Sequence, residues 1–415
     1  MSIAWLFETQ KNRICLGLES MALLLEKLGH PEKKLQVLHV AGTNGKGSVS
    51  AFAESVLRAE GYLTGLYTSP HLIEINERIR INGENITQAC LEEGIERLQF
   101  ALRGLEKQPT FFELTTALAF DVFARARLDV VVLETGLGGR LDATNVAPKL
   151  ACAITSISLD HMEYLGPTLA HIAREKAGIM RKDIPVISVP QPSEAHAVLI
   201  TEAKKVRAPL EFVTDPLSER CELGLAGSYQ RWNAALALAL VKKAGFKISS
   251  EAQKMGLEKV SWPGRFQKIL IRDANSITRT IILDGAHNPA AAESLVQTWK
   301  EEFPNQSCAL IFGALADKQG SVMLESLKTI AKEVFLVPIA SPRTALPEDL
   351  LPLFSKIKTF SSLEEAFKQL FFDKKDSSFL FDKVHNIPIL LAGSLFLVGE
   401  ALALLQGKEY RSSMQ

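Results

Sequence analysis

The sequence predicts an α/β fold in two domains, the first a doubly wound, mostly parallel sheet. Three observations carry that expectation. Short apolar, β-branched runs alternate with segments of helical spacing along most of the chain. One such run, residues 35–40, leads into the glycine-rich turn Gly42-Thr43-Asn44-Gly45-Lys46-Gly47-Ser48 and then into a helical pattern. The 415 residues exceed one ordinary core, and a second alternation begins after the breaker Trp262-Pro263-Gly264-Arg265. The expected division is 1–262 for a domain built on the glycine-rich loop and 266–415 for a smaller, Rossmann-like α/β domain without such a loop.

The elements follow in order. Leu18, Met21, Ala22, Leu24, Leu25 and Leu28 have helical spacing, and Gly29-His30-Pro31 ends that helix. After the glycine-rich loop, residues 61–69 read as a short strand closing in Ser69-Pro70-His71. Residues 111–125 read as a buried helix, 130–134 as a buried strand ending in a carboxylate, and 152–157 as a strand running into Asp160-His161. In the second domain, 280–284 is a strand followed by a helix from about Pro289, and 308–313, 333–337 and 388–393 are further buried strands. Residues 374–378 read as a polar loop.

Composition excludes several classes. Lys+Arg and Asp+Glu both total 47, so no basic footprint points to nucleic acid or an anionic membrane. The five cysteines (Cys15, Cys90, Cys152, Cys221, Cys308) are scattered, without a Cys-x-x-Cys pair, and read as reduced core thiols. The apolar N-terminus is broken by Glu8 and Lys11 too early for a signal peptide, and residues 389–398 are too short to span a bilayer. The expectation is a cytoplasmic protein.

The loop carries the first chemistry. Glycines let backbone N–H groups converge on one anion, a helix N-terminus adds partial positive charge, and Lys46 adds a full one. A nucleoside triphosphate is the expected occupant. The loop departs from the strict Walker pattern, because Gly47 follows Lys46 where Ser or Thr would hold magnesium, and Ser48 comes one position late. A plain glycine-rich turn with a solvated lysine is the competing reading. Ligands in such folds sit beyond the carboxyl ends of the strands. The segment 42–48, Ser69, Glu134 and His161 each follow an apolar run, so they are expected along one sheet edge. Glu134 suits a hard cation. A lone histidine such as His161 is more often a packed or surface residue than a ligand, and the Lys176 ammonium binds no cation unless carbon dioxide converts it to a carbamate.

These residues also form a longer pattern. The 42–48 loop with Ser69-Pro70-His71, Glu134-Thr135-Gly136-Leu137-Gly138-Gly139-Arg140-Leu141-Asp142-Ala143-Thr144-Asn145, and Asp160-His161 with Glu175-Lys176-Ala177-Gly178-Ile179 resemble the folylpolyglutamate synthase/dihydrofolate synthase family of the Mur ligase superfamily. So do Pro263-Gly264-Arg265-Phe266-Gln267 and Asp284-Gly285-Ala286-His287-Asn288-Pro289. The likeness runs from about residue 14 to 399.

The resemblance implies a Mur-ligase-like ATP-binding domain and a C-terminal glutamate-ligase domain. It implies an ATP-dependent amide ligase that phosphorylates a carboxylate and joins it to L-glutamate. Its substrates would be dihydropteroate and the γ-carboxyl of reduced folates; the 139–145 wording looks more like the two-activity bacterial enzymes than the polyglutamylation-only branch. By the family's pattern Gly42, Thr43, Asn44, Gly45, Lys46, Gly47, Ser48, Asn233, Arg265 and Asp284 bind ATP. Ser69, Glu134, His161 and an N6-carboxylated Lys176 serve two magnesium sites, with a monovalent cation as a further cofactor. Lys46, Glu134, His161, Lys176 and His287 form the catalytic set, His287 near the incoming glutamate. Cys15, Leu16, Gly17, Leu18, Phe112, Glu113, Leu114, Thr115, Leu141, Asp142 and Ala143 match substrate-contacting stretches, although Cys15 stands where the family commonly has Asp. Arg265, at the expected domain junction, would help complete the site on closure. The partners implied are small molecules only, and the chain is expected to act as a monomer.

Three rivals stand beside this reading, one of them a nucleotide-binding protein that has lost catalysis, although no proposed ligand position is missing. Another Mur-type ligase would share the ATP site but normally carries an extra N-terminal substrate domain, whereas about 34 residues precede the loop's strand. A phosphate-loop ATPase without an acceptor would have no use for the segment 284–289.

Overall fold

The computed structural model of the protein describes residues 3–9, 17–105, 107–272, 278–350, 357–372 and 387–410. The chain divides into two compact units, one containing Met1–Gly224 and Gln230–Ser261, the other Leu225–Tyr229 and Trp262–Ser413.

The first unit is built on eight strands: β1 (Val37–Ala41), β2 (Thr64–Tyr67), β3 (Ile79–Ile81), β4 (Glu84–Asn85), β5 (Val130–Glu134), β6 (Ala151–Ile154), β7 (Val186–Ser188) and β8 (Leu210–Phe212). Their order in the sheet is β4-β3-β2-β5-β1-β6-β7-β8. β2, β5, β1, β6, β7 and β8 are parallel, while β3 and β4 form an antiparallel extension on the β2 edge. Every residue of β1 and β5 is buried, as central parallel strands covered on both faces require. The chain leaves β1 toward β2 on one side and later crosses from β5 past β1 to β6 on the other. The segment after β1 therefore emerges where ligands of doubly wound folds bind.

Two helices set that edge. The helix Lys46–Glu60 starts at the loop lysine, earlier than the apolar pattern suggested, after Gly45 in the left-handed region at φ 90°. Gly61, at φ 101°, closes it. The helix Phe111–Ala126 follows the expected span and opens with a capping box. Thr110 Oγ1 accepts the Glu113 N–H, and Glu113 Oε2 accepts the Thr110 N–H at 2.7 Å, a cap worth about 1 kcal/mol. Leu114, Leu118 and Phe120 from this helix pack with Met21, Leu24, Val131 and Leu133 in one core. Truncating one such leucine to alanine costs about 2–5 kcal/mol.

The second unit holds β9 (Gln267–Arg272), β10 (Thr278–Leu283), β11 (Cys308–Phe312), β12 (Ala331–Leu336), β13 (Ile357–Thr359) and β14 (Ile389–Ala392), in the order β13-β12-β11-β14-β10-β9. All neighbours are parallel except β9 on β10. β9 alternates half-buried and exposed residues along its length, which is why it lacks the apolar run that marks the central strands. Residues 225–229 group with this unit, ahead of the expected single divide near 262. The Ser228 N–H donates to Glu301 Oε2 at 3.0 Å, and Gly227 packs against Thr298; both contacts are long-range and leave no local sequence signal. Among the described residues no helix is long and apolar enough to cross a membrane. The polar loop expected at 374–378 lies outside the described residues.

Candidate active site

The loop Gly42–Ser48 stands directly beyond β1 and is braced from the neighbouring strand end. The Thr43 N–H donates to the Ser156 carbonyl at 2.8 Å, and Thr43 Oγ1 exchanges hydrogen bonds with the Ser158 backbone at 3.1 Å. Gly42 has φ 151°, and a Cβ there would lie 1.8 Å from Thr155 Oγ1. A Cβ on Gly45 would meet Asn233 Oδ1 at 2.6 Å. Only glycine fits either place without displacing Thr155 or Asn233. The helix that follows has no side-chain cap and no acidic residue in its first turn. Its N-terminal positive charge is therefore not neutralised locally.

Asn233 and Gln230 fasten the loop from the helix Tyr229–Lys243. Asn233 Nδ2 donates to Gln230 Oε1 at 2.9 Å, and Gln230 Nε2 donates to Ser48 Oγ at 3.3 Å. Lys46 Nζ donates to the Thr43 carbonyl at 3.1 Å, so the cation arches back over its own loop.

Register brings the other strand-end residues alongside. Val40 pairs with Glu134 and Ala41 with Ile154, so β1, β5 and β6 end together. The Glu134 carboxylate, 5% exposed, accepts the Ser69 N–H on Oε2 at 3.3 Å. Lys176, in the last turn of the helix Leu169–Ala177, is 4% exposed and donates from Nζ to the Gly42 carbonyl at 2.5 Å. Burial first, and then Lys46, pull its pKa down to about 7, against the opposing influence of Asp160 and Asp142. A buried lysine with a depressed pKa presents the neutral amine that reacts with carbon dioxide. His161 adopts a left-handed backbone, φ 49°, and its N–H donates to Asp160 Oδ1 at 2.8 Å. Its ring is 38% exposed.

A divalent cation fits this edge. Thr135 Oγ1, next to Glu134, and Thr155 Oγ1, against Gly42, are buried oxygens without a hydrogen-bond partner. Oxygen donors are what magnesium takes, and it is commonly held by one or two carboxylates together with phosphate oxygens and water. Among the described residues no three His, Cys, Asp or Glu side chains gather into a metal-holding group. Glu134 is the carboxylate, and Ser69 the hydroxyl, that could take part.

Phe112 is half-buried, its ring packed on Gly136, where a Cβ would lie 2.4 Å from Cζ. Its neighbours are occupied with structure. Glu113 caps its helix, Leu114 is core, and Thr115 Oγ1 bonds to the Tyr67 hydroxyl at 3.0 Å. Phe111 lies in the core beneath the Arg78 guanidinium, 5.2 Å above its ring. Asp142 is buried, with Oδ2 accepting from Leu137 N at 2.8 Å and Oδ1 from Thr144 N at 3.0 Å. Burial raises its pKa in spite of these donors. Its oxygens serve the loop itself, and Ala143 beside it is also buried. Leu141, Gly17 and Leu18 are half-buried, Leu18 preceding the helix Glu19–Lys27. Cys15 and Leu16 lie outside the described residues.

The second unit gathers its own group at the end of β10. Asp284 Oδ2 accepts the Phe266 N–H and Oδ1 the Ala286 N–H, both at 2.8 Å. Burial raises its pKa, with Arg265 the largest opposing influence. Gly285 packs so tightly that a Cβ would meet Arg265 Nη1 at 2.6 Å. His287 Nδ1 donates to the Gly285 carbonyl at 2.8 Å, which fixes the orientation of the ring. Asn288 caps the helix Pro289–Glu302 through the Ala291 N–H.

Sequence reasoning passed over Gln230, Thr135, Thr155, Thr144 and His39. Gln230 could have been found, since its spacing of three from Asn233 puts both on one helix face. His39 and Thr155 lie within or just after apolar runs and give no pattern, while Thr135 and Thr144 fall inside the 134–145 segment with no role of their own assigned to them.

Comparison with known proteins places the chain in a family. Residues 40–207 match the family model of the Mur ligase middle domain, and 264–377 that of the Mur ligase glutamate ligase domain. The fold is that of a Mur-type, ATP-dependent ligase. The chain is 37% identical over 429 residues to dihydrofolate synthase/folylpolyglutamate synthase of Bacillus subtilis, covering 96% of both. It is 33% identical to Escherichia coli FolC, solved in complex with DHPP and ADP, with a TM-score of 0.85 and 97% of each chain covered. It is 32% identical, with the same TM-score and coverage, to a bifunctional folylpolyglutamate synthase/dihydrofolate synthase solved with Mn, AMPPNP and L-glutamate. The chain belongs to the dihydrofolate synthase/folylpolyglutamate synthase family.

Proposed function

We propose that this enzyme joins L-glutamate to 7,8-dihydropteroate, forming dihydrofolate, and to the γ-carboxyl of reduced folates, using ATP. The observation that carries the reading is the meeting of the glycine loop, Lys46, Lys176 and Glu134 at the aligned ends of β1, β5 and β6.

A carboxylate is a poor electrophile because oxide would have to leave. Its oxygen attacks the γ-phosphorus of ATP, the bond to ADP breaks, and an acyl phosphate results. The amine of glutamate then attacks the carbonyl carbon; the amide forms, phosphate leaves and the amine gives up its proton. Phosphoryl transfer of this kind needs positioning and neutralisation of charge. The loop amides and Lys46 supply both to the β- and γ-phosphates, with Lys46 swinging from the Thr43 carbonyl to the nucleotide. Asn233, Arg265 and Asp284 bind the rest of ATP. Magnesium, held through Ser69 and Glu134, with His161 and a carbamylated Lys176 at a second site, supplies charge neutralisation when bound. The neutral amine that burial produces on Lys176 supports that modification. His287, its ring oriented by the bond to the Gly285 carbonyl, serves the incoming glutamate. Phe112 and the 141–143 stretch wall the pterin acceptor, with the buried Asp142 carboxylate shaping the wall from behind. A monovalent cation completes the set, and the working form is a cytoplasmic monomer.

The test is phosphate release by purified protein with Mg-ATP, L-glutamate and dihydropteroate or tetrahydrofolate, each omitted in turn. Release that needs all three supports the ligase. Release that ignores the pterin acceptor would falsify it.

A further inference from the structure

A histidine in the middle of a central parallel strand needs a reason, because a buried imidazole without a partner is costly. His39 lies in β1, three residues before Gly42, and is 0% exposed. Its Nε2 is 2.7 Å from Thr144 Oγ1, and Thr144 Oγ1 donates to Asp142 Oδ1 at 2.5 Å. The direction of the first bond follows from the second. A hydroxyl has one proton, and Thr144 spends it on the Asp142 carboxylate, so the proton on the other bond belongs to His39. His39 is therefore the neutral Nε2–H tautomer. Its other nitrogen, Nδ1, is buried and has no partner. Burial, with the cations Lys149 and Arg181 adding to it, holds the ring neutral.

At the far end, Asp142 Oδ2 accepts the Leu137 N–H, and Gly136 N–H also bonds to this carboxylate. Gly136 is the residue under the Phe112 ring. An unbroken line of bonds thus runs from the strand that feeds the glycine loop to the turn behind Glu134.

We propose that His39, acting through Thr144 and Asp142, is a positioning residue that fixes the Gly136–Leu137 turn and with it the wall on which the flat heterocycle of the acceptor rests. The relay touches no reacting atom. It holds the Asp142 carboxylate in one rotamer, so that two backbone N–H groups and the Phe112 ring keep one geometry. This rests on the reading that Phe112 and the 141–143 stretch line the acceptor site.

The experiment varies dihydropteroate at saturating ATP and glutamate, and then ATP at saturating dihydropteroate. His39→Leu and Thr144→Val, which remove the relay's donors, are expected to raise the KM for dihydropteroate about tenfold, with that for ATP within about twofold. His39→Gln, which offers an amide N–H near the place of Nε2, and Thr144→Ser, which keeps the hydroxyl, should return most of the loss. Thr144→Val is nearly isosteric and guards against a His39→Leu protein that does not fold. Unchanged KM for dihydropteroate, an equal rise for both substrates, or failure of Gln and Ser to rescue would each overturn the relay. Phe112→Ala in the same assay separates the two levels. A raised dihydropteroate KM in Phe112→Ala with none in the relay variants sinks the relay alone, whereas no change in Phe112→Ala removes the acceptor wall and the relay with it.

Discussion

Lys176 Nζ donates to the carbonyl oxygen of Gly42 at 2.5 Å, across 134 residues of sequence. The bond ties the last turn of one helix to the first residue of the glycine loop, and it puts two lysines, 46 and 176, within electrostatic reach of each other. Burial first, and then repulsion by Lys46, make Lys176 easier to deprotonate. Local sequence rules do not produce such a pair. An anion that sits on the loop, or a carbamate on Lys176, would relieve it.

Lys176→Ala should therefore lose activity by about 10²-fold or more, the scale of removing one charge-stabilising group. Added short-chain carboxylate or bicarbonate should restore part of it in the alanine protein. Initial rates measured with and without the additive decide this. Wild-type activity in the variant would remove the carbamate from the account.

Gly45→Ala tests the loop. The alanine Cβ would press on Asn233 Oδ1 from 2.6 Å, at a backbone φ of 90°. The left-handed strain alone costs about 1–2 kcal/mol, and displacing Asn233 also breaks its bond to Gln230. The expected outcome is a KM for ATP raised at least several-fold, with a smaller change for dihydropteroate. Equal affinity for ATP in titration calorimetry would show that the loop does not hold nucleotide closely.

Lys149 offers a test of stability against pH. Burial lowers its pKa to about 8, with Cys152 opposing and Arg181 assisting. Its Nζ donates to the Asn145 and Ala147 carbonyls. Between about pH 8 and 10.5 the unfolded chain holds a proton that the folded one has released, so folding stability rises with pH across that window. It is lost again as pH falls through the folded value, by at most about 3 kcal/mol at 1.36 kcal/mol per unit. In Lys149→Met that slope should flatten when urea unfolding is followed at pH 8, 9 and 10. An unchanged slope would assign it to other groups.

Much of this molecule could be read from its sequence, and the division is physical. Buried parallel strands are continuous apolar runs, so β1, β5, β11 and β14 stood out. Their carboxyl ends then pointed to Glu134 and the 42–48 loop by the general rule for such sheets. β9, with one half-buried face, and the short return at 225–229, held by contacts to Thr298 and Glu301, had no local signature. The roles of His161, Lys176 and His287 came from resemblance, since a lone histidine or lysine carries no pattern of its own. The relay from His39 through Thr144 to Asp142 was invisible because its members are 105 and 2 residues apart. Glu113 and Thr115, expected at the substrate, have side chains engaged in a helix cap and in a bond to Tyr67.

In the proposed reaction a phosphorylated carboxylate passes to glutamate at this strand edge. Positional isotope transfer decides it: dihydropteroate labelled with oxygen-18 in its carboxylate is turned over with Mg-ATP and L-glutamate, and the released phosphate is analysed by mass. One labelled oxygen is expected in each phosphate released with amide formation. Amide formed while the phosphate carries no label would rule out the acyl phosphate.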